Sequence, residues 1–126
     1  MWWKGNNNGG RVMNKLLKEW KRRLQLDDWH IELIENCSPN EMTLKDCAGE
    51  TEWSEVGKTA VIRIIDPKDY GKRIEPFDFE KTLVHELLHC KLCLLGESGN
   101  DLQDRLIHQY IDDLANALVS AKRRIT

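Results

Sequence analysis

The chain has 126 residues, 40% of them hydrophobic and 32% charged, with a formal net charge of −2. That length suits one domain with its own hydrophobic core and is too short for two. The composition excludes a disordered chain, no apolar run reaches the about 18 residues of a membrane span, and the near-neutral charge gives no overall argument for nucleic acid.

The opening stretch, MWWKGNNNGGR, lacks the long apolar core and small-residue cleavage site of an export signal, so the expected location is the cytoplasm. Residues 1–10, rich in Asn and Gly and without periodicity, read as a flexible leader to a single domain at 11–126. From about 11 to 25, Met13, Leu16, Leu17, Trp20 and Leu24 recur at helical spacing. Basic residues fill the other face of that helix. Residues 1–24 carry seven Lys/Arg against one acid, a balance of +6, which leaves −8 for the remainder. The basic face reads as solvated, with a docking surface for an acidic partner or nucleic acid as the alternative.

Three strands follow: WHIELIE (29–35), AGETEWSE (48–55), polar enough for a sheet edge, and TAVIRIID (59–66), the most continuously apolar. Two prolines and a glycine make DPKDYGKRIEPFD (66–78) a loop. Asp78 is placed to cap a helix running from Phe79 to about Leu95. GESGND (96–101) breaks it, and Asp101 is placed to cap a last helix over about 102–121. Leu102, Leu106, Ile107, Tyr110, Ile111, Leu114 and Leu118 share one face of that helix. The order α-β-β-β-α-α predicts an α+β domain, helices around a small sheet of about three strands. Cys37, Cys47, Cys90 and Cys93 read as small hydrophobes. CKLC has no matching pair for a structural zinc site, and it falls late in a helix, where a redox CxxC gains no thiolate stabilisation.

The chemistry concentrates in TLVHELLHCKL (82–92). His85 and His89, four residues apart, lie on one helix face and can converge on one Zn²⁺ at about 2.0–2.1 Å. Glu86 projects about 100° away, placed for a water beside the metal. Composition alone gives this HExxH pattern an expectation of roughly 0.01 in such a chain. The competing reading is a core helix whose histidines bond to backbone and whose Glu86 reaches solvent. A catalytic zinc needs a third protein ligand. Cys93 is excluded on a continuous helix, since eight residues from His85 place it about 12 Å along the axis. An antiparallel helical hairpin brings His108, beside Ile111 and Ala115, level with the motif. His108 is therefore the expected third ligand, with Glu97, Asp104 and Asp112 as the alternatives.

With TLVHELLHCKL followed by RLIHQYIDDLANALV, and preceded by KTAVIRIIDPKDY, the chain resembles small phage and prophage zinc metallopeptidases, minimal relatives of the gluzincins. The resemblance covers roughly residues 28–120. It implies a zincin-like fold with the motif helix at the floor of a cleft, one zinc ion on His85 and His89, and Glu86 as general base. The implied activity is hydrolysis of a peptide or protein substrate by a zinc-activated water. Gluzincins take a glutamate as third ligand from the following helix, where this chain has His108. The resemblance also implies an edge strand, here 48–55, that takes an extended substrate, and an oxyanion-stabilising group, for which Tyr70 and Tyr110 are candidates. From a different class, the chain reads as a weakly active or inactive zinc-binding regulatory module of a phage or prophage.

Overall fold

The computed structural model describes residues 8–95 and 99–125, with side chains over 12–95 and 99–124. Three α-helices and a three-stranded mixed sheet make an α+β fold: α1 (Asn8–Arg23), β1 (His30–Cys37), β2 (Gly49–Ser54), β3 (Thr59–Ile65), α2 (Phe79–Lys91) and α3 (Asp101–Ile125). Of the expected leader, residues 8–10 belong to α1 and residues 1–7 lie outside the described residues. Among the described residues no helix is long and apolar enough to cross a membrane.

α1 buries Trp20 completely and half-buries Leu16, Leu17 and Leu24 against the core. It stops at Arg23, two residues short of the expected end. Gln25 takes a left-handed conformation at φ 58°. The amide of Leu26 bonds back to the Lys21 carbonyl at 2.7 Å, and that of Gln25 to Arg22 at 3.1 Å. This paired closure ends a helix by consuming its last carbonyls. It turns Leu26 and Trp29 into the core.

The sheet order is β1-β3-β2, with β1 parallel and β2 antiparallel to β3. The most apolar strand is therefore central and the polar β2 is an edge, as its composition requires. Ala60, Ile62 and Ile64 alternate toward the helices and are buried. Gly49, Thr51 and Trp53 sit opposite Ile64, Ile62 and Ala60, so the same face of β2 looks toward α2.

Asp78 caps α2, its side chain accepting from the Lys81 amide. Leu83, Val84 and Leu87 are fully buried, each contributing about 1.5–3 kcal/mol through removal from water. α2 ends at Lys91 instead of near Leu95, and a short 3-10 turn, Cys93–Leu95, follows. α3 begins at Asp101, one residue earlier than expected, and runs to Ile125, four residues past the expected end. Its cap is Asn100, not Asp101: the Asn100 side chain accepts from the Gln103 amide at 3.0 Å. Only part of the expected apolar face of α3 packs. Ile111, Ala115 and Val119 are buried and Ile107 and Leu118 half-buried, while Leu102, Leu106, Tyr110 and Leu114 are exposed. The helix is apolar on two sides, and the side carrying the small Ala115 permits the closer approach to α2.

Candidate metal centre

Ion pairs join the end of α3 to the start of α2. Lys122 contacts Glu80, and Arg123 grips Asp78 through two bonds of 2.8 and 3.0 Å. The two helices are therefore antiparallel, and the pairing carries the early part of α3 alongside the middle of α2. His108 arrives opposite His85 and His89. The ring centroids lie 5.2 Å apart for His85 and His89, 5.6 Å for His85 and His108, and 4.9 Å for His89 and His108. One nitrogen from each ring lies within 4.8 Å of the others. This triad can hold a metal ion.

The electrostatics suit that role. Burial, reinforced by the neighbouring His85 and His108, drives the His89 pKa down to about 4. Burial and His108 also lower His85, against the opposing pull of Asp112. Imidazoles held neutral have a lone pair free for a cation. Among the described residues, His89 and His108 have no hydrogen-bond partner. Polar nitrogens that converge without protein partners fit a metal as their shared partner. His85 Nδ1 lies 3.5 Å from Asp112 Oδ1, a carboxylate placed to hold the orientation of the ring. The three nitrogen donors form the set a zinc ion accepts.

Glu86, one residue along, points to β2. It is 5% exposed and receives a 2.6 Å hydrogen bond from the Thr51 hydroxyl. Burial raises its pKa to about 7, with Thr51 opposing and Glu50 adding to the rise. Gly49 makes room for it. A Cβ there would stand 3.2 Å from Glu86 Cγ and 2.9 Å from Thr82 Cγ2. Trp53, four residues from Gly49 on the same strand face, stacks on His89 with centroids 6.1 Å apart. These groups line a cavity of about 460 Å³ that also takes in Tyr70, Ile107 and Asp104.

The four residues singled out from the sequence, His85, Glu86, His89 and His108, thus line one cavity. Of the alternative ligands, Asp104 and Asp112 line it without joining the triad, and Glu97 lies outside the described residues. Cys93 sits in the turn after α2, so helix continuity is not what separates it from the triad. Tyr70 borders the cavity with its hydroxyl donated to the Glu75 carbonyl at 2.9 Å, whereas Tyr110 faces away, 70% exposed. The sequence reading missed Thr51, Trp53 and Glu50. Glu50, 3% exposed, accepts from the amides of Thr43 and Leu44 and from Arg63, which pins the loop before β2 against the cavity. The period-2 spacing of Gly49, Thr51 and Trp53 was the available signal for a shared face, but nothing in the sequence says that this face meets α2.

No protein-family model matches the chain, and neither a curated protein nor a solved structure shows significant similarity to it.

Proposed function

We propose that the chain is a zinc-dependent peptidase of the zincin type. The observation that carries the reading is the convergence of three imidazoles, two of them without a hydrogen-bond partner among the described residues, beside a buried carboxylate in a cavity bordered by an edge strand. Zinc, when bound, would supply a Lewis acid that activates water and the scissile carbonyl. His85, His89 and His108 would hold it, and Asp112 orients His85. Glu86 takes up and returns the proton, since it adjoins the first ligand and burial brings its pKa near neutrality. Thr51 keeps that carboxylate in one orientation. The outer edge of β2 gives an extended peptide backbone a ladder to join, with Trp53 limiting water over His89. A cytoplasmic setting belongs to the same proposal, in keeping with the four cysteines being free thiols.

One observation favours a second reading, a zinc-binding module without hydrolysis. Glu86 is 95% covered, being 5% exposed, and is already committed to Thr51. The test sets wild type beside Glu86→Gln, both loaded with zinc, against a mixed peptide library analysed by mass spectrometry. The peptidase reading expects one bound zinc in each protein and cleavage by wild type alone. Zinc in both with no cleavage by wild type supports the module. Cleavage retained by the variant removes Glu86 as the base.

A further inference from the structure

We infer that α1 carries a docking surface for the phosphate backbone of double-stranded DNA. Lys15, Lys18 and Arg22, at i, i+3 and i+7, share one face of the helix. All three are exposed. They stand opposite the face that buries Trp20 and packs Leu16, Leu17 and Leu24 into the core. None of the three has an acidic partner among the described residues. Arg23, Lys58, Arg63, Lys81, Lys122 and Arg123 are each ion-paired. The other exposed cations without an ion pair among the described residues, Lys45, Lys68, Lys72, Arg73, Lys91, Arg105 and Arg124, are spread over loops and the other two helices, so the ridge is marked by three such cations on one helix face. The single acid of α1, Glu19, is occupied by Arg23 and Lys122. Residues 1–24 balance at seven basic against one acidic, +6, and the remainder at twelve against twenty, −8. A polyanion is repelled by most of this molecule and attracted by one helix, which confines and orients the contact.

The chemistry of the ridge selects among polyanions and anionic surfaces. A membrane-bound helix inserts its apolar face, and α1 has already spent that face on the core. A protein partner needs an apolar centre to its interface. Among the described residues of α1, the single large exposed apolar side chain is Val12. Single-stranded nucleic acid is held by stacking on aromatic rings, and the aromatic side chain described on α1, Trp20, is buried. The deep, narrow major groove of duplex RNA does not admit a helix between its phosphate walls, whereas the about 12 Å major groove of B-form DNA accommodates one about 10–12 Å across and brings its exposed ridge to the flanking phosphates. From Lys15 to Arg22 the helix rises about 10 Å, which covers about three phosphates of one strand. The contact is independent of base sequence, because lysine and arginine on this ridge meet charge and not base edges.

The test uses the 126-residue protein with zinc added at one equivalent and a fluorescein-labelled 20-base-pair DNA duplex, followed by anisotropy from about 25 to 200 mM NaCl. Three neutralised phosphates give a slope of log K against log salt of about −2.7. Lys15→Gln or Lys18→Gln alone lowers the magnitude of that slope by about 1, and the triple change Lys15→Glu, Lys18→Glu, Arg22→Glu abolishes binding at 50 mM. Zinc content stays at the wild-type value throughout, since the ridge touches no ligand. Absence of binding by wild type at 25 mM salt overturns the proposal, as does binding unaffected by the triple change. Tighter binding to duplex RNA or to single-stranded DNA of equal length overturns the duplex-DNA assignment. Should the triple variant lose helix content, the slopes of the folded single variants decide.

Discussion

Replacing Glu86 with Gln in the metal-free protein isolates the energetic cost of the buried carboxylate. In the folded chain its pKa is about 7 against an ordinary 4.5. A raised carboxyl means that the folded state holds the proton more tightly than the unfolded state. The stability this contributes is complete below pH 4.5 and is lost as pH rises to about 7. At about 1.4 kcal/mol per pH unit, the loss amounts to about 3 kcal/mol above neutrality. Gln has the same shape, keeps an oxygen to accept from the Thr51 hydroxyl, and carries no charge to desolvate. His89 works in the opposite direction. Its pKa falls to about 4 in the folded chain, so its contribution is complete above pH 6.5 and is lost as pH falls toward 4. Between pH 4.5 and 6.5 the fall due to Glu86 opposes the rise due to His89 and to His85, which burial also lowers, so wild type gains less stability with pH than the variant does. The variant, relieved of Glu86, shows the rise due to histidine alone. Thermal unfolding followed by circular dichroism in excess chelator, at half-unit steps from pH 4.5 to 8.5, measures both. The expected result is a variant more stable by about 3 kcal/mol at pH 8, or about 10 °C in Tm, with the difference vanishing toward pH 4.5. A difference that does not change with pH, or a variant less stable than wild type at pH 8, refutes the argument that burial governs this carboxyl.

Two further outcomes test the surroundings of the triad. His108→Ala abolishes stoichiometric zinc binding, measured by competition with a chromophoric chelator, while Asp112→Ala, which removes only the partner of His85 Nδ1, weakens it by about 10–100-fold; equal retention of zinc in both removes His108 from the ligand set. Gly49→Ala places a methyl group 2.9 Å from Thr82 Cγ2, a side chain held by its hydroxyl to the Asp78 carbonyl at 2.8 Å, and costs about 1–3 kcal/mol through overpacking; a urea midpoint equal to that of wild type shows that β2 and α2 separate more easily than the packing implies.

The sequence already contained most of the element order and the four residues that line the cavity. α1, β3 and α3 were legible from their apolar patterns and β2 as a polar run between turn signals, and the HExxH turn because its spacing is local. His108 was legible through one piece of chain geometry, the short connection that makes consecutive helices antiparallel. The packed face of α3 was not legible. Leu102, Leu106, Tyr110 and Leu114 form an apolar row as convincing as the one that is buried, and only the docking of α3 on α2 chooses between them. The parallel pairing of β1 with β3 was also hidden, since strand periodicity carries no information on neighbour or direction. Helix ends were misplaced where the stop signal was unusual. Gln25 takes the left-handed position normally given to glycine, and Asn100 caps a helix that Asp101 seemed placed to cap.

The register of β2 decides what kind of site this is. Gly49, Thr51 and Trp53 occupy the face toward α2, where they clear space for Glu86, bond it and stack on His89. Glu50 and Glu52 occupy the other face, both held by Arg63 from β3. A slip of one residue exchanges the faces completely. It would put two carboxylates directly against Glu86 and remove its hydrogen-bond donor, adding to the like charge it already feels from Glu50. The Glu50 carboxylate resists that slip. It sits on Arg63 and on the amides of Thr43 and Leu44 at once, bonds that hold together only when Glu50 lies opposite Arg63. A charged group on the face away from the centre thereby fixes the environment of the carboxylate beside it.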